Sequence, residues 1–182
     1  MTYIIVDFEA TCCNKGSVAR NEMEIIEIGA VALEDNGPEV LAEFQHFIRP
    51  VRNPVLTDFC TELTSITQDM LDAAGEFPAV IEQFQKWLNG FNEPLFCSWG
   101  NYDKNQLQQD CAYHSVDYPF DQRHINIKQR FAHNMELKKA LGLGQALKAV
   151  GLSFNGTAHR GIDDARNMAD LSAYIFSADD LL

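Results

Sequence analysis

Positive charge is scarce in this sequence: 14 Lys and Arg stand against 26 Asp and Glu, a formal net charge of −12 over 182 residues. A protein that grips long nucleic acid through its phosphates usually presents a positive surface. The balance excludes that class, or limits it to proteins that hold a few nucleotides and let metal ions supply the positive charge. Long apolar runs are missing too, and none approaches the ~18 residues of a membrane-spanning helix, so no membrane partner is expected. The first residues, MTYIIVDFEA, enter a strand-like run at once, with neither a basic n-region nor a small-residue cleavage site, which points to a cytoplasmic protein. Five cysteines, two of them adjacent at Cys12 and Cys13, form no C-x-x-C pair and no disulfide framework. Reduced thiols in a reducing compartment are the plain reading. With Gly at 11, Pro at 6, no repeat and no low-complexity tract, fibrous and disordered classes are excluded. The length suits one domain, residues 1–182.

What is present reads as alternating strands and helices. Tyr3–Phe8 is apolar on both alternating faces, the pattern of a central strand covered on two sides. Ile25–Leu33 and Glu39–Ile48 flank the turn signal Glu34–Pro38, with Asn-Gly inside it, and read as an antiparallel hairpin. Arg49–Pro54 is a Pro-punctuated loop, Thr67–Leu71 and Phe77–Leu88 are helical, Leu95–Ser98 is a short strand, and Asn101–His114 is a helix. A short strand at His124–Ile127 precedes helical pieces to Val150, and Ile162–Phe176 reads as one amphipathic helix. The order gives an α/β domain with a mixed sheet.

The chemistry gathers at four acids and a histidine. Asp7 and Glu9 sit two apart on the central strand, so both carboxylates point to one face. Such a pair is costly unless something positive lies between; a divalent metal site and a Glu9 that merely begins a solvated loop both remain open. On the last helix Asp164 leads the stripe Met168, Leu171 and Ile175, whereas Asp163 shares a polar face with Asn167 and Asp170. First-turn acids that complement the helix dipole account for Asp163 well and for Asp164 poorly. His159 fits the loop leading into that helix, as a surface residue or leaning over the same site. Asp103, in SWGNYDKNQL, follows a strand and is either a helix cap or a third acidic contribution. Hard oxygen donors with open positions suit Mg²⁺ or Mn²⁺ rather than zinc. Two such ions would stabilise the attacking and leaving oxygens of a phosphodiester displacement, and a neutral histidine is a natural base for the water.

DFEATC at Asp7–Cys12, IIEIGAV at Ile25–Val31, SWGNYD at Ser98–Asp103 and HRGIDDARNMADL at His159–Leu171 resemble the motifs of the DEDDh 3′→5′ exonucleases. That superfamily includes polymerase proofreading subunits, RNase T and oligoribonuclease. The D-F-E-A-T-C form, with LTSITQDMLD and HINIK, is most similar to the Eri branch of histone-mRNA and small-RNA exonucleases and its bacterial relatives. The resemblance runs from Tyr3 to about Phe176. It implies a ribonuclease-H-like fold: a five-stranded mixed sheet, second strand antiparallel, flanked by helices. It also implies roles. Asp7, Glu9 and Asp164 would hold one Mg²⁺ and Asp103 would help hold the second, with Asp7 shared; His159 and Glu9 would position and deprotonate the water. The product would be a nucleoside 5′-monophosphate cut from the 3′ end of RNA or single-stranded nucleic acid. The terminal nucleotide would lie against Phe8, Ala10 and Thr11, its base flanked by Trp99 and by Leu63 or Ile66; an aromatic such as Trp99 is more often core. Eukaryotic Eri relatives carry an additional SAP domain and basic stretches that these residues lack, so trimming of an accessible 3′ end is expected rather than grip on a long structured RNA.

Two other activities stay open on sequence grounds. A DNA-directed proofreading-type exonuclease shares every motif, because a 2′-hydroxyl is read by local shape. A catalytically idle nucleotide-binding protein would have lost an acid or the histidine, and all five are present. A ribonuclease-H-type endonuclease shares the fold but not the His159…Asp164 spacing.

Overall fold

The computed structural model describes residues 1–34 and 39–176. Its sheet comprises β1 (Thr2–Ala10), β2 (Ile25–Glu34), β3 (Val40–Arg49), β4 (Gly75–Glu76), β5 (Pro94–Ser98) and β6 (His124–Asn126). The strand order is β4-β3-β2-β1-β5-β6. β2 runs antiparallel to β1 and β3, while β5 is parallel to β1 and β6. The helices are α1 (Asp58–Thr64), α2 (Gln68–Asp72), α3 (Phe77–Leu88), α4 (Tyr102–His114), α5 (Ile127–Asn134), α6 (Leu143–Ala149), α7 (Gly161–Ala169) and α8 (Ser172–Ile175).

Three features differ from the pattern reading. The sheet has a sixth strand, β4, which joins β3 through Ile48↔Gly75 and Arg49↔Glu76; two residues are too few to show a period. Helix α1, DFCTELT, is too short at seven residues to show a helical period in the sequence; Thr57 caps it by accepting the Cys60 N–H at 3.0 Å. The expected Ile162–Phe176 helix is two pieces. After Ala169 the ladder tightens to i→i−3 bonds, Leu171 N–H to Met168 O at 3.1 Å and Tyr174 N–H to Leu171 O at 2.9 Å. The inward stripe survives this change: Met168, Leu171 and Ile175 are all fully buried. The Asn36-Gly37 turn lies outside the described residues, as do the last six residues, 177–182.

β1 is covered on both faces, as its apolar alternation requires. Ile4, Val6 and Phe8 pack with Val80, Ile81, Phe84 and Leu88 of α3. Tyr3 and Ile5 pack with Phe131 of α5 and with Ile162, Ala165 and Met168 of α7. Each such burial stabilises by roughly 1.5–3 kcal/mol, and the two layers together hold the polar end of β1 in place. No helix of the described residues is long and apolar enough to cross a membrane.

Helix α7 lies against β1 and β2 more closely than side chains permit. A Cβ on Gly29 would fall 2.0 Å from the Gly161 carbonyl carbon and 2.1 Å from Ile162 N; one on Gly161 would fall 2.9 Å from Asp7 O. Backbone meets backbone there, so neither side can yield. Gly29→Ala should therefore destabilise the fold by about 3 kcal/mol or more, the upper end for overpacking, measured by urea denaturation. A loss under about 1 kcal/mol would mean that α7 can lift from the sheet without consequence.

Candidate active site

The odd positions of β1 change character along one face: Tyr3 and Ile5 are core, and Asp7 and Glu9 follow. The change coincides with the end of pairing to β5, whose last register pair is Ile5↔Cys97, while β2 continues alongside as Asp7↔Gly29 and Glu9↔Glu27. Beyond that point α4 takes the place of β5. Its Asp103, only 4% exposed, accepts the Phe8 N–H at 3.1 Å, which ties it to the acidic end of β1. From the other side α7 delivers Asp164. One carboxylate oxygen from each of Asp7, Glu9 and Asp164 lies within 4.8 Å of the others. Asp103 stands outside that triad but lines the same cleft.

The cleft has a volume of about 330 Å³ and opens to solvent. It is lined by Asp7, Phe8, Glu9, Ala10, Asp103, His159 and Asp164, with Leu63 and Trp99 on its walls. Its base is polar and its walls are apolar. His159 is exposed, adopts φ +63°, and donates its backbone N–H to the Asp164 carboxylate. Trp99 is half-buried: its indole N–H donates to Leu141 O at 3.2 Å, and its ring packs 6.0 Å from Phe131. Of the expected nucleotide contacts Thr11 is not brought to the cleft, and of the alternatives Leu63 and Ile66 it is Leu63 that lines it. Thr11 is buried, its N–H given to Glu24 O at 2.8 Å and its hydroxyl accepting Glu24 N–H at 3.0 Å, which ties β1 to β2. Ile66 is fully buried with Ile26, Cys60 and Leu71. Three lining residues had escaped the sequence reading: Cys12, Tyr102 and Leu143. Tyr102 abuts Asp103 in the SWGNYD motif and was findable there, whereas Leu143 arrives from α6 with no local signal.

The helical-face assignment of the two aspartates holds, with one refinement. Asp163 points away from the acids and accepts Thr157 N–H at 2.9 Å and Arg166 Nη1 at 3.1 Å. Asn167, expected on a polar face, is fully buried there, because its side chain holds both the N–H and the C=O of Asn155. That face is polar because it clamps the loop before α7.

Burial and mutual repulsion dominate the electrostatics. Burial, then the charges of Asp103, Glu9, Asp164 and Glu27, push Asp7 well above the usual carboxylate range. Glu9 rises to about 8, by burial first and Asp164 next. Burial also lifts Asp103 and Asp164 to about 6, against the lowering effect of the Phe8 N–H on the former and of His159 on the latter. Asp164 Oδ2 is buried without a hydrogen-bond partner. An orphaned carboxylate oxygen among acids that resist ionising together is what a divalent cation would complete, and all-oxygen donors suit a hard ion.

The sign for stability follows. Folded carboxyls with raised pKa hold protons that the unfolded chain releases, so folding is favoured at low pH and weakened as pH rises. Without divalent cation, stability should fall between the ordinary value of 4.5 and the raised value of about 8 for Glu9. Added Mg²⁺ should reverse most of that loss at the alkaline end. Thermal melts across this range, with chelator and with Mg²⁺, test it; a chelated protein as stable at the alkaline end as at the acidic end would show that the acids do not repel.

Comparison with known proteins identifies the family. A family model described as exonuclease, of the RNase T type, matches residues 4–172. ERI1 exoribonuclease 2 of Homo sapiens is 32% identical over 93% of this chain, and 3′-5′ exoribonuclease 1 of Rattus norvegicus is 32% identical over 92%. The chain spans 27% and 51% of those two relatives. The solved nuclease domain of 3′hExo, a DEDDh family member bound to rAMP, superposes with a TM-score of 0.86 at 32% identity, covering 94% of this chain and 89% of that one. Exonuclease I, at 13% identity and a TM-score of 0.75, shares the fold. The chain belongs to the RNase T-type exonuclease family, within the DEDDh superfamily and near its Eri branch.

Proposed function

We propose that residues 1–182 act as a single 3′→5′ exonuclease domain that removes nucleotides from the 3′ end of RNA and releases nucleoside 5′-monophosphates. The observation that carries this reading is the convergence of Asp7, Glu9, Asp103 and Asp164 with His159 on one open cleft, with Asp164 Oδ2 left unpaired. Relatives named as exoribonucleases, and a related nuclease domain bound to rAMP, support RNA over DNA. The free thiols at all five cysteines fit a cytoplasmic setting.

Asp7, Glu9 and Asp164 would hold one cation and Asp103 would help to hold a second. Bound Mg²⁺, or Mn²⁺ in its place, supplies the Lewis acidity that offsets charge on the attacking and leaving oxygens. The chain's own residues do the rest. His159, as neutral imidazole, takes the proton from the water that attacks the terminal phosphodiester, and Glu9 orients that water. The bond to the O3′ of the penultimate nucleotide breaks, and the terminal nucleotide leaves with its 5′-phosphate. Phe8 and Ala10 at the end of β1 line its seat, and Trp99 and Leu63 flank the base. The net charge of −12 disfavours long duplex and favours a short, accessible end.

Incubation of 3′- and 5′-labelled RNA and DNA strands with Mg²⁺ tests the reading. A ladder shortening from the 3′ end, faster on RNA and stopped by a blocked 3′ terminus, is the expected result. Internal cuts in the blocked strand would indicate an endonuclease, and equal rates on DNA would remove the sugar preference. Asp164→Asn should abolish hydrolysis and weaken cation binding, because it changes a buried ligand oxygen. Asp163→Asn should retain most of both, since its neighbours are Thr157 and Arg166. Equal losses at the two positions in a titration of activity against Mg²⁺ would disprove the separation.

A further inference from the structure

A fifth carboxylate lies beside the four acids and is spent differently. Glu27 on β2 is fully buried and sits directly across from Glu9 in the strand register. Both of its oxygens are occupied. Oε2 accepts Arg160 Nε at 3.1 Å and the Gly161 N–H at 3.1 Å, and Oε1 accepts Arg160 Nη2 at 3.4 Å and Gln45 Nε2 at 2.7 Å. The Arg160 guanidinium also lies 5.2 Å over the ring of Phe47. Arg160 and Gly161 follow His159 directly, and the Arg160 carbonyl accepts the Asp164 N–H at 2.9 Å. His159 holds φ +63°, a region that residues with a Cβ adopt uncommonly. Its ring is exposed, so its place over the cleft is inherited from the backbone on either side. Upstream that backbone is tied at Thr157 by Asp163; downstream it is tied by Glu27.

We infer that Glu27 is a positioning residue for His159, acting through Arg160 and Gly161. A charge-assisted fork gives both distance and direction, and a carboxylate fully buried in the sheet is a fixed reference point. It thereby sets the imbalance of roles at this site: four acids face the cations, and the fifth, Glu27, is paired with arginine to hold the base. The inference rests on the reading of His159 as the base, and the test separates the two.

The full chain is assayed for kcat, KM and Mg²⁺ half-activation on a 3′-labelled oligoribonucleotide, as wild type, His159→Ala, Glu27→Gln and the double variant. Glu27→Gln should lower kcat roughly 10- to 100-fold, the range for a lost supporting contact or a small misplacement. KM and Mg²⁺ half-activation should stay nearly unchanged. In the His159→Ala background the same substitution should cost nothing further. Equal losses in both backgrounds, or a shifted Mg²⁺ half-activation, would overturn the inference and make Glu27 a support of the fold or of the acids. Full activity of His159→Ala would overturn the assignment of the base and this inference with it. Arg160→Lys, which keeps the charge and loses the fork, is carried through the same cycle should Glu27→Gln fail to fold; an intermediate loss confined to kcat supports the inference, and a full rate refutes it.

Discussion

The backbone contact between α7 and the β1–β2 pair governs this molecule. Gly161 and Gly29 meet with no room for a Cβ, and Gly161 also approaches the carbonyl of Asp7. Because the helix begins there, its fourth residue, Asp164, is held at a ligand's distance from Asp7 and Glu9. A helix packed at the usual side-chain separation would carry Asp164 out of that range. The same contact sets His159 at the cleft, since only Arg160 separates it from Gly161.

Such an arrangement opposes the folding drive locally. Four buried or half-buried acids and Glu27 lie close together, and each raises the proton affinity of its neighbours. Two apolar layers around β1 offset that repulsion, with α3 on one face and α5 and α7 on the other. The donors are also rationed. The Phe8 N–H goes to Asp103, the Arg160 guanidinium goes to Glu27, and Asp164 Oδ2 receives nothing. A protein short of positive charge thus leaves a cluster of carboxylates at one place open to a cation of the solution.

The walls of the cleft follow a different logic from its floor. Trp99 is fixed by a hydrogen bond to Leu141 and by contact with Phe131, and Leu63 is carried by α1. Tyr102 faces the same space with Arg20 stacked 4.5 Å over its ring. Apolar and aromatic walls above an acidic floor discriminate little between bases, which fits the proposed removal of successive terminal nucleotides.

Local pattern was enough for the five longer strands, the longer helices and the faces of Asp7, Glu9 and Asp164, whereas Asp103 and His159 took candidate roles only from the resemblance of their motifs. The alternation of Tyr3–Phe8 defines a doubly covered strand, two-residue spacing puts Asp7 and Glu9 on one face, and helical periodicity separates Asp164 from Asp163. These are properties of the backbone's own geometry and need no partner. What required tertiary structure was everything decided by distant chain. Thr11 and Ile66 sit within the right motifs but are consumed by contacts to Glu24 and to Cys60 and Leu71, which no local period reports. The break after Ala169 and the strand β4 are shorter than any period. Leu143 enters the cleft across about forty residues of chain from Trp99. Glu27, read only as part of a β-strand motif, takes its meaning from an arginine that is 133 residues away. Periodicity assigns a side chain to a face; only packing decides which charges on that face are paired with arginine and which stay open to a cation.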